Sequence, residues 1–283
     1  MNTILLPTDF SESSMNSVKY GLEIAKALKT DVIIFHANHV PVIAPNTPVG
    51  VYDNLIINDE QKQKESLNKM KDRIYSEIGI SETEVPVRCI VKLGFAVDEI
   101  VNVAEDEKVG LIVIGTQGAT GLQKALIGSN AASVIKSSKV PVLSIPFASA
   151  FNGIKKIALA TDFHHIEDKE VVSPLLEIAL LFNAEVLVFN VRKDKAEVPT
   201  FEQAAEGLDL EEALKSVIHS FHISENENAI MGIEGFVKGS NADILAMIPR
   251  KQSFWANLFS TSYTEEIALD ALVPLLILPE TKD

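Results

Sequence analysis

The sequence has little that would hold it together except its own packing. Its 283 residues include one cysteine, Cys89, so no disulfide framework is available and a reducing compartment fits. Basic residues are outnumbered, 25 Lys and Arg against 39 Asp and Glu, giving a net charge of −14. A nucleic-acid duplex or an anionic membrane calls for a basic face, so neither is an expected partner. No apolar run approaches the length needed to cross a bilayer. The opening, MNTILLPTDF, lacks a basic leader followed by a long apolar region, so no signal peptide is expected. A cytoplasmic protein is the expectation.

Several catalytic signatures are missing too. There is no Gly-x4-Gly-Lys-Ser/Thr loop, no His-x-Gly-His and no Ser-Gly-Gly-x-Asp. Phosphoryl transfer also needs a placed cation and an oriented nucleophile, and no convincing general base lies beside the glycine-bearing loop of residues 115–129. No catalytic residue is therefore assigned. His164 and His165 with Glu167 and Asp168 lack the helical spacing of a metal site and read as a solvated turn, so no metal site is assigned either.

Apolar residues are plentiful, at 47% of the chain, enough for a sizeable core. The length suits one large domain or two small ones. Short apolar runs alternate with segments of helical period. Ile4–Pro7, Val32–Ala37, Val85–Val91, Leu111–Ile114 and Val140–Ile145 read as strands. Helices fall around Met15–Leu28, Leu67–Ile78, Val97–Ala104 and Asn130–Ile135. The polar stretch from Asn38 to Asp59, with Pro41, Pro45 and Pro48, reads as a long loop. Strict alternation of this kind means a parallel, doubly wound sheet.

The pattern then repeats. Thr161-Asp162-Phe163 repeats Thr8-Asp9-Phe10, VLVFNV at 186–191 matches VIIFHA at 32–37, and Val273–Leu278 echoes Val140–Ile145. A duplication of about half the chain decides architecture before anything else does. The expected domains are 1–147 and 154–283, joined by a linker short enough that the halves pack rather than swing.

One stretch of the first copy is absent from the second. Gly115 ends the fourth strand, Gly118 follows, and Gly128-Ser129 opens the next helix at Asn130. At such a strand-to-helix junction an open α/β sheet binds its ligands. Glycines there let backbone N–H groups approach an oxyanion, and a helix N-terminus adds partial positive charge. Aligned on Pro141 and Pro274, the second copy has Ile248, Lys251, Thr261 and Ser262 at these positions. Phe254 and Trp255 stand where the first copy is small. With Phe259, they read as core or an interface stripe.

The spacing Gly115-x2-Gly118-x9-Gly128-Ser129, together with the opening ILLPTDFSESS, resembles the ATP-binding universal stress proteins, here as two copies in tandem. The resemblance implies two five-stranded parallel sheets of order 3-2-1-4-5 with helices on both faces, and pairing through the last strand. A tandem chain can satisfy that pairing internally, and a homodimer is the other arrangement. It implies ATP as ligand, with or without Mg2+, in the first half only. The implied set is Pro7, Thr8, Asp9, Ala37 and Ile114 around the nucleoside, with Gly115, Gly118, Gly128, Ser129 and Asn130 at the phosphates. Gln117 departs from the family's frequent His or Arg and removes a cation there.

Each position also has a plainer reading. The glycines make tight turns. Ser129 caps a helix, a role compatible with phosphate contact. Asp9 caps the helix starting near Glu12, Pro7 ends a strand, His36 is a hydrogen-bonded core histidine, and Lys124 is an exposed helix lysine. Three functions follow: a nucleotide-binding stress regulator, a slow ATPase, and an interaction scaffold that needs no nucleotide.

Overall fold

Ile4, Leu5 and Leu6 are apolar in succession because both faces of their strand are covered, and all three are fully buried. The same holds for Val32–Ile34 and Leu111–Val113, the mark of strands inside a parallel sheet. Each such side chain contributes roughly 1.5–3 kcal/mol of transfer free energy. The computed structural model describes residues 2–38, 49–116, 128–163, 169–192, 200–248 and 273–279.

The first half runs β1 (Thr3–Pro7), α1 (Glu12–Leu28), β2 (Asp31–Asn38), α2 (Val49–Ile78), β3 (Val87–Leu93), α3 (Ala96–Asp106), β4 (Leu111–Gly115), α4 (Ser129–Ser137) and β5 (Val142–Ile145). The second half runs β6 (Lys156–Ala160), a 3-10 turn at Lys169–Val172, α5 (Ser173–Phe182), β7 (Glu185–Arg192), α6 (Phe201–Leu214), β8 (His219–Glu225), α7 (Ala229–Ser240), β9 (Ile244–Met247) and β10 (Leu275–Ile277).

Among the described residues, ten strands form one sheet of order β3-β2-β1-β4-β5-β10-β9-β6-β7-β8. Each half thus has the order 3-2-1-4-5. Pairing is parallel throughout except at the centre, where β10 runs antiparallel to β5. There Leu276 faces Leu143, flanked by Leu275 with Ser144 and Ile277 with Val142. Leu143 and Leu276 are equivalent positions of the two copies, so the seam is a self-complementary contact with two-fold character. One core layer lies under α1, α2, α5 and α6, the other under α3, α4 and α7, and both contain residues of each half.

The segment joining the halves is held in place. Asn16 of α1 donates through Nδ2 to the carbonyls of Pro146, Phe147 and Ser149, the last at 2.8 Å. Phe151 packs edge-on to Tyr20 of α1 at 5.1 Å and lies 5.8 Å from Phe182 of α5.

The segment read as a loop to Asp59 is helical from Val49. The last proline of that segment is Pro48, and nothing after it blocks an α-helix. α2 then continues to Gly79, whose φ of +67° and the bond from Ile80 N to Tyr75 O at 3.1 Å make a left-handed stop. Tyr75 also donates to Val85 O at 2.5 Å. Burial, with Glu82, Cys89 and Asp72 adding to it, pushes its phenol up to about 12. A raised phenol keeps its proton longer when folded, so its contribution is complete below pH ~10 and lost as pH rises toward that value. Tyr75→Phe should flatten the fall in melting temperature above pH ~10, and at neutral pH should cost about 1 kcal/mol for the lost bond. Circular dichroism melts across that range check both.

No helix among the described residues is long and apolar enough to cross a membrane. His164, His165, Glu167, Asp168, Phe254, Trp255 and Phe259 lie outside the described residues.

Candidate functional site

In the order 3-2-1-4-5, chain connections leave in opposite directions from β1 and β4. The crevice at their carboxyl ends is therefore the switch point where doubly wound sheets take ligands. The residues expected around a nucleoside and its phosphates come to this edge, as far as they are described.

On the β1 side, Thr8 N donates to Phe35 O at 2.8 Å. The Thr8 hydroxyl accepts from Phe10 N at 3.0 Å and shares a hydrogen bond with Ser14 Oγ at 2.9 Å. The Thr8 carbonyl lies 2.8 Å from His36 Nδ1. A carbonyl only accepts, so Nδ1 of His36 carries the proton. Phe10 is in the left-handed region, φ 64°, and packs on the His36 ring at 4.6 Å. The second copy repeats this turn. Phe163 has φ 54°, its N–H meets Thr161 Oγ1 at 3.0 Å, and Asn190 replaces His36 by donating to Thr161 O at 2.7 Å. A threonine and a side-chain donor to its carbonyl thus build the turn in both copies, Thr8 with His36 in the first and Thr161 with Asn190 in the second, and the polar groups of Thr8 are engaged within the protein.

Asp9 is exposed. Its Oδ1 accepts from Ser11 N at 3.0 Å and Ser11 Oγ at 2.5 Å. The cap of α1 is Ser11, whose hydroxyl accepts from Ser14 N at 3.2 Å. The capping role considered for Asp9 therefore passes to Ser11. Asp9 sits one step outside, its carboxyl at the carboxyl edge of the sheet.

Pro7, Ala37 and Ile114 fall on one side of the sheet. Leu5 and Ile112 are register partners in the core layer under α3 and α4, and two residues on in each strand are Pro7 and Ile114. Ala37 packs against the same layer. Phe95, not singled out from the sequence, is the N-cap of α3 at this edge and is 78% exposed. An aromatic between a glycine and a helix start was its only signal.

On the β4 side, Gly115 is glycine for a packing reason. A Cβ there would lie 3.0 Å from both Ser13 O and Ser13 Oγ of α1, tighter than ordinary contact. The buried Ser13 hydroxyl has no hydrogen-bond partner among the described residues. Thr116 N donates to Ile145 O at 3.0 Å, and Gly128 N donates to Thr116 O. The chain thus returns at residue 128 to the place it left at 116. Gly118, Gln117 and Lys124 belong to the intervening segment and lie outside the described residues.

α4 then begins. Its N-cap is Gly128, not Ser129, with φ −58° and ψ 151°, a conformation any residue adopts. No side chain caps the helix, and Ala132 N to Gly128 O, 3.0 Å, is its opening turn. Ser129 and Asn130 are exposed in the first turn while Ala131, Val134 and Ile135 face the core. The first-turn amides of α4 have a glycine where Ser, Asp or Asn would claim one of them. In the second copy Ile248 stands at the place of Gly115 and packs against the core layer under α1 and α5. Lys251, Thr261 and Ser262 lie outside the described residues. Among the described residues no group of three His, Cys, Asp or Glu side chains is placed to hold a metal ion.

The fold and this edge define a duplicated, doubly wound α/β protein in which the helix that follows β4 of the first copy starts at a glycine with no side-chain cap. A model of the universal stress protein family matches residues 1–146, and the chain belongs to that family. Two universal stress proteins of Methanocaldococcus jannaschii are similar to about half of the chain. One is 32% identical over 142 residues, 50% of this chain and 80% of its own length. The other is 33% identical over 156 residues, 50% of this chain and 93% of its own. A universal stress protein crystal structure from Archaeoglobus fulgidus covers 99% of both chains with a TM-score of 0.71 at 20% identity, which extends the likeness of fold to the second half.

Proposed function

We propose that the protein is a stress-response regulator that binds one adenine nucleotide, ATP with or without Mg2+, in the β1–β4 crevice of its first half. Gly128 carries this reading. It occupies a cap position whose backbone makes no demand for glycine, and it leaves the α4 amides to an incoming anion. In this arrangement Gly115, Gly118, Gly128, Ser129 and Asn130 surround the phosphates. Asp9 accepts from a ribose hydroxyl, and Pro7, Ala37 and Ile114 flank the base, with Thr8 shaping the turn between them. The supporting groups are backbone donors, hydroxyls and one exposed carboxylate, a set suited to holding a nucleotide rather than hydrolysing it.

Restriction to the first half draws support from Ile248, whose side chain fills the place of Gly115. We read 1–147 and 154–283 as two domains that partner each other through β5 and β10, in the cytoplasm, where Cys89 stays a free thiol. Calorimetric titration of the full chain with ATP, ADP, AMP and cAMP tests the proposal. The expected result is a micromolar dissociation constant, about −8 kcal/mol, at one nucleotide per chain. Two sites per chain would overturn the restriction to the first half. No binding of any of the four would leave the scaffold reading.

A further inference from the structure

The duplication provides an internal control for a groove in the second half. In the first half the edge of the sheet is latched to its helix by two ion pairs from β3 to α3. Arg88 Nη2 meets Glu107 Oε2 at 2.6 Å, and Lys92 Nζ meets Asp106 Oδ2 at 3.2 Å. Phe35 pairs with Ile90 and its equivalent Phe189 with His222, so Arg88 and Lys92 correspond to Ser220 and Ser224. The left-handed residues Lys108 and Asn241 end the two helices, so Asp106 and Glu107 correspond to Gly239 and Ser240. All four latching charges have become serine or glycine. In their place is an open groove of about 500 Å3, lined by Lys156, Glu185, Leu187, His222, Ser224 and Phe236 with the small residues of α7.

Two glycines of α7 point the same way. Glycine inside a helix is unfavourable, and Gly232 has a packing reason, since a Cβ there would meet Val191 at 2.4 Å. Gly235 and Gly239 have none, because a Cβ at either would meet nothing within 4 Å. Their effect is to keep the groove open.

The lining is bipolar and fixed. Lys156 and Glu185 are register partners at the starts of β6 and β7. The Lys156 ammonium donates to Ser240 O at 3.2 Å, at the end of α7. Glu185 Oε1 accepts from Ser220 Oγ at 3.4 Å, and that hydroxyl lies 2.9 Å from His222 Nε2. Beyond the charges, the Phe236 ring is stacked on the buried Phe189 ring at 4.1 Å and stands 5.4 Å from His222. Leu187 is buried beneath. One end offers a cation and an anion side by side, and the other offers an aromatic wall on an apolar floor. The volume suits a small organic ligand.

We propose that this groove binds a small zwitterion, a free α-amino acid with an apolar or aromatic side chain. Lys156 receives its carboxylate and Glu185 its ammonium, while the side chain lies along Leu187 against Phe236 and His222. A ligand of zero net charge is not repelled by a protein of charge −14.

The test is an amide NMR titration of the full chain with L-phenylalanine, glycine and N-acetyl-L-phenylalaninamide, repeated on S224K/G239D, which rebuilds one latch of the first half. Saturable phenylalanine binding is expected, with shifts at Ser224, Gly235 and Gly239. Glycine and the capped analogue should bind at least about tenfold more weakly. The double variant should lose phenylalanine binding while melting at or above the parent temperature. Should that variant fail to fold, Glu185→Gln leaves the groove open and is expected to weaken phenylalanine about tenfold. No saturation by about 10 mM phenylalanine, a capped analogue that binds equally, or unchanged affinity in the variant that folds would each overturn the proposal. Nucleotide binding, in the other half, should be unaltered in both variants.

Discussion

Gly128→Asp is expected to abolish nucleotide binding and leave the protein at least as stable. Aspartate is among the best N-cap residues, and its gain over glycine is a few tenths of a kcal/mol. Its charge also suits a helix start. Those same features place a carboxylate on the α4 amides where the phosphates would lie. The nucleotide then loses its donors and meets a like charge. A loss of at least about 100-fold in affinity, roughly 2.7 kcal/mol, is expected. Gly128→Asn separates the two effects, because it caps without charge and should fall between parent and aspartate. Calorimetry gives the affinity and a thermal melt the stability. The informative result is the divergence of the two. Unchanged affinity in Gly128→Asp would remove α4 from the site, whereas a large drop in melting temperature would make Gly128 a structural glycine after all.

A charge at the centre of the sheet should have the largest effect on folding. Leu276 is fully buried and faces Leu143 across the antiparallel pairing of β10 with β5. Leu276→Asp loses an apolar side chain, worth about 2–5 kcal/mol when truncated in a core, and leaves a carboxylate unpaired among leucines. The expected loss is at least about 4 kcal/mol, in the range reserved for buried charges. β10 is the last strand of the second half and also pairs with β9, so that half should melt first. Urea unfolding should change from one transition to two, with the first half retaining the later one. Leu276→Met, which keeps the volume, should cost less than about 1.5 kcal/mol. A single, little-shifted transition in Leu276→Asp would mean that the two copies do not depend on the seam.

Much of this architecture could be read from the residues, because buried parallel strands leave an unambiguous trace. Ile4–Pro7, Leu111–Ile114 and their second-half counterparts are apolar on both faces, and the repeated Thr-Asp-Phe turn fixes where each copy begins. Two copies of a parallel doubly wound sheet follow from that, whereas the order 3-2-1-4-5 came only with the resemblance to the universal stress proteins and is the order found in both halves. The start of α2 was hidden because prolines up to Pro48 and a polar run after it look alike in composition, although only the prolines break helices. At the site, the sequence supplied positions without causes. Gly115 turns out to be demanded by Ser13 of α1, a contact between residues far apart in the chain. Asp9 and Ser11 divide a capping role that spacing alone could assign to either. The groove beside α7 was not visible at all, since small residues in a helix give no signal until the partners they fail to meet are known.

The reversal at β5 and β10 has a consequence for whatever docks on this molecule. Strands of the first copy finish on the rim where strands of the second copy begin. The β1–β4 crevice and the Lys156–Glu185 end of the groove therefore open along one border of the sheet, with several strands between them. A single elongated partner laid along that border would touch the carboxyl ends of the front copy's strands and the strand starts of the rear copy at once.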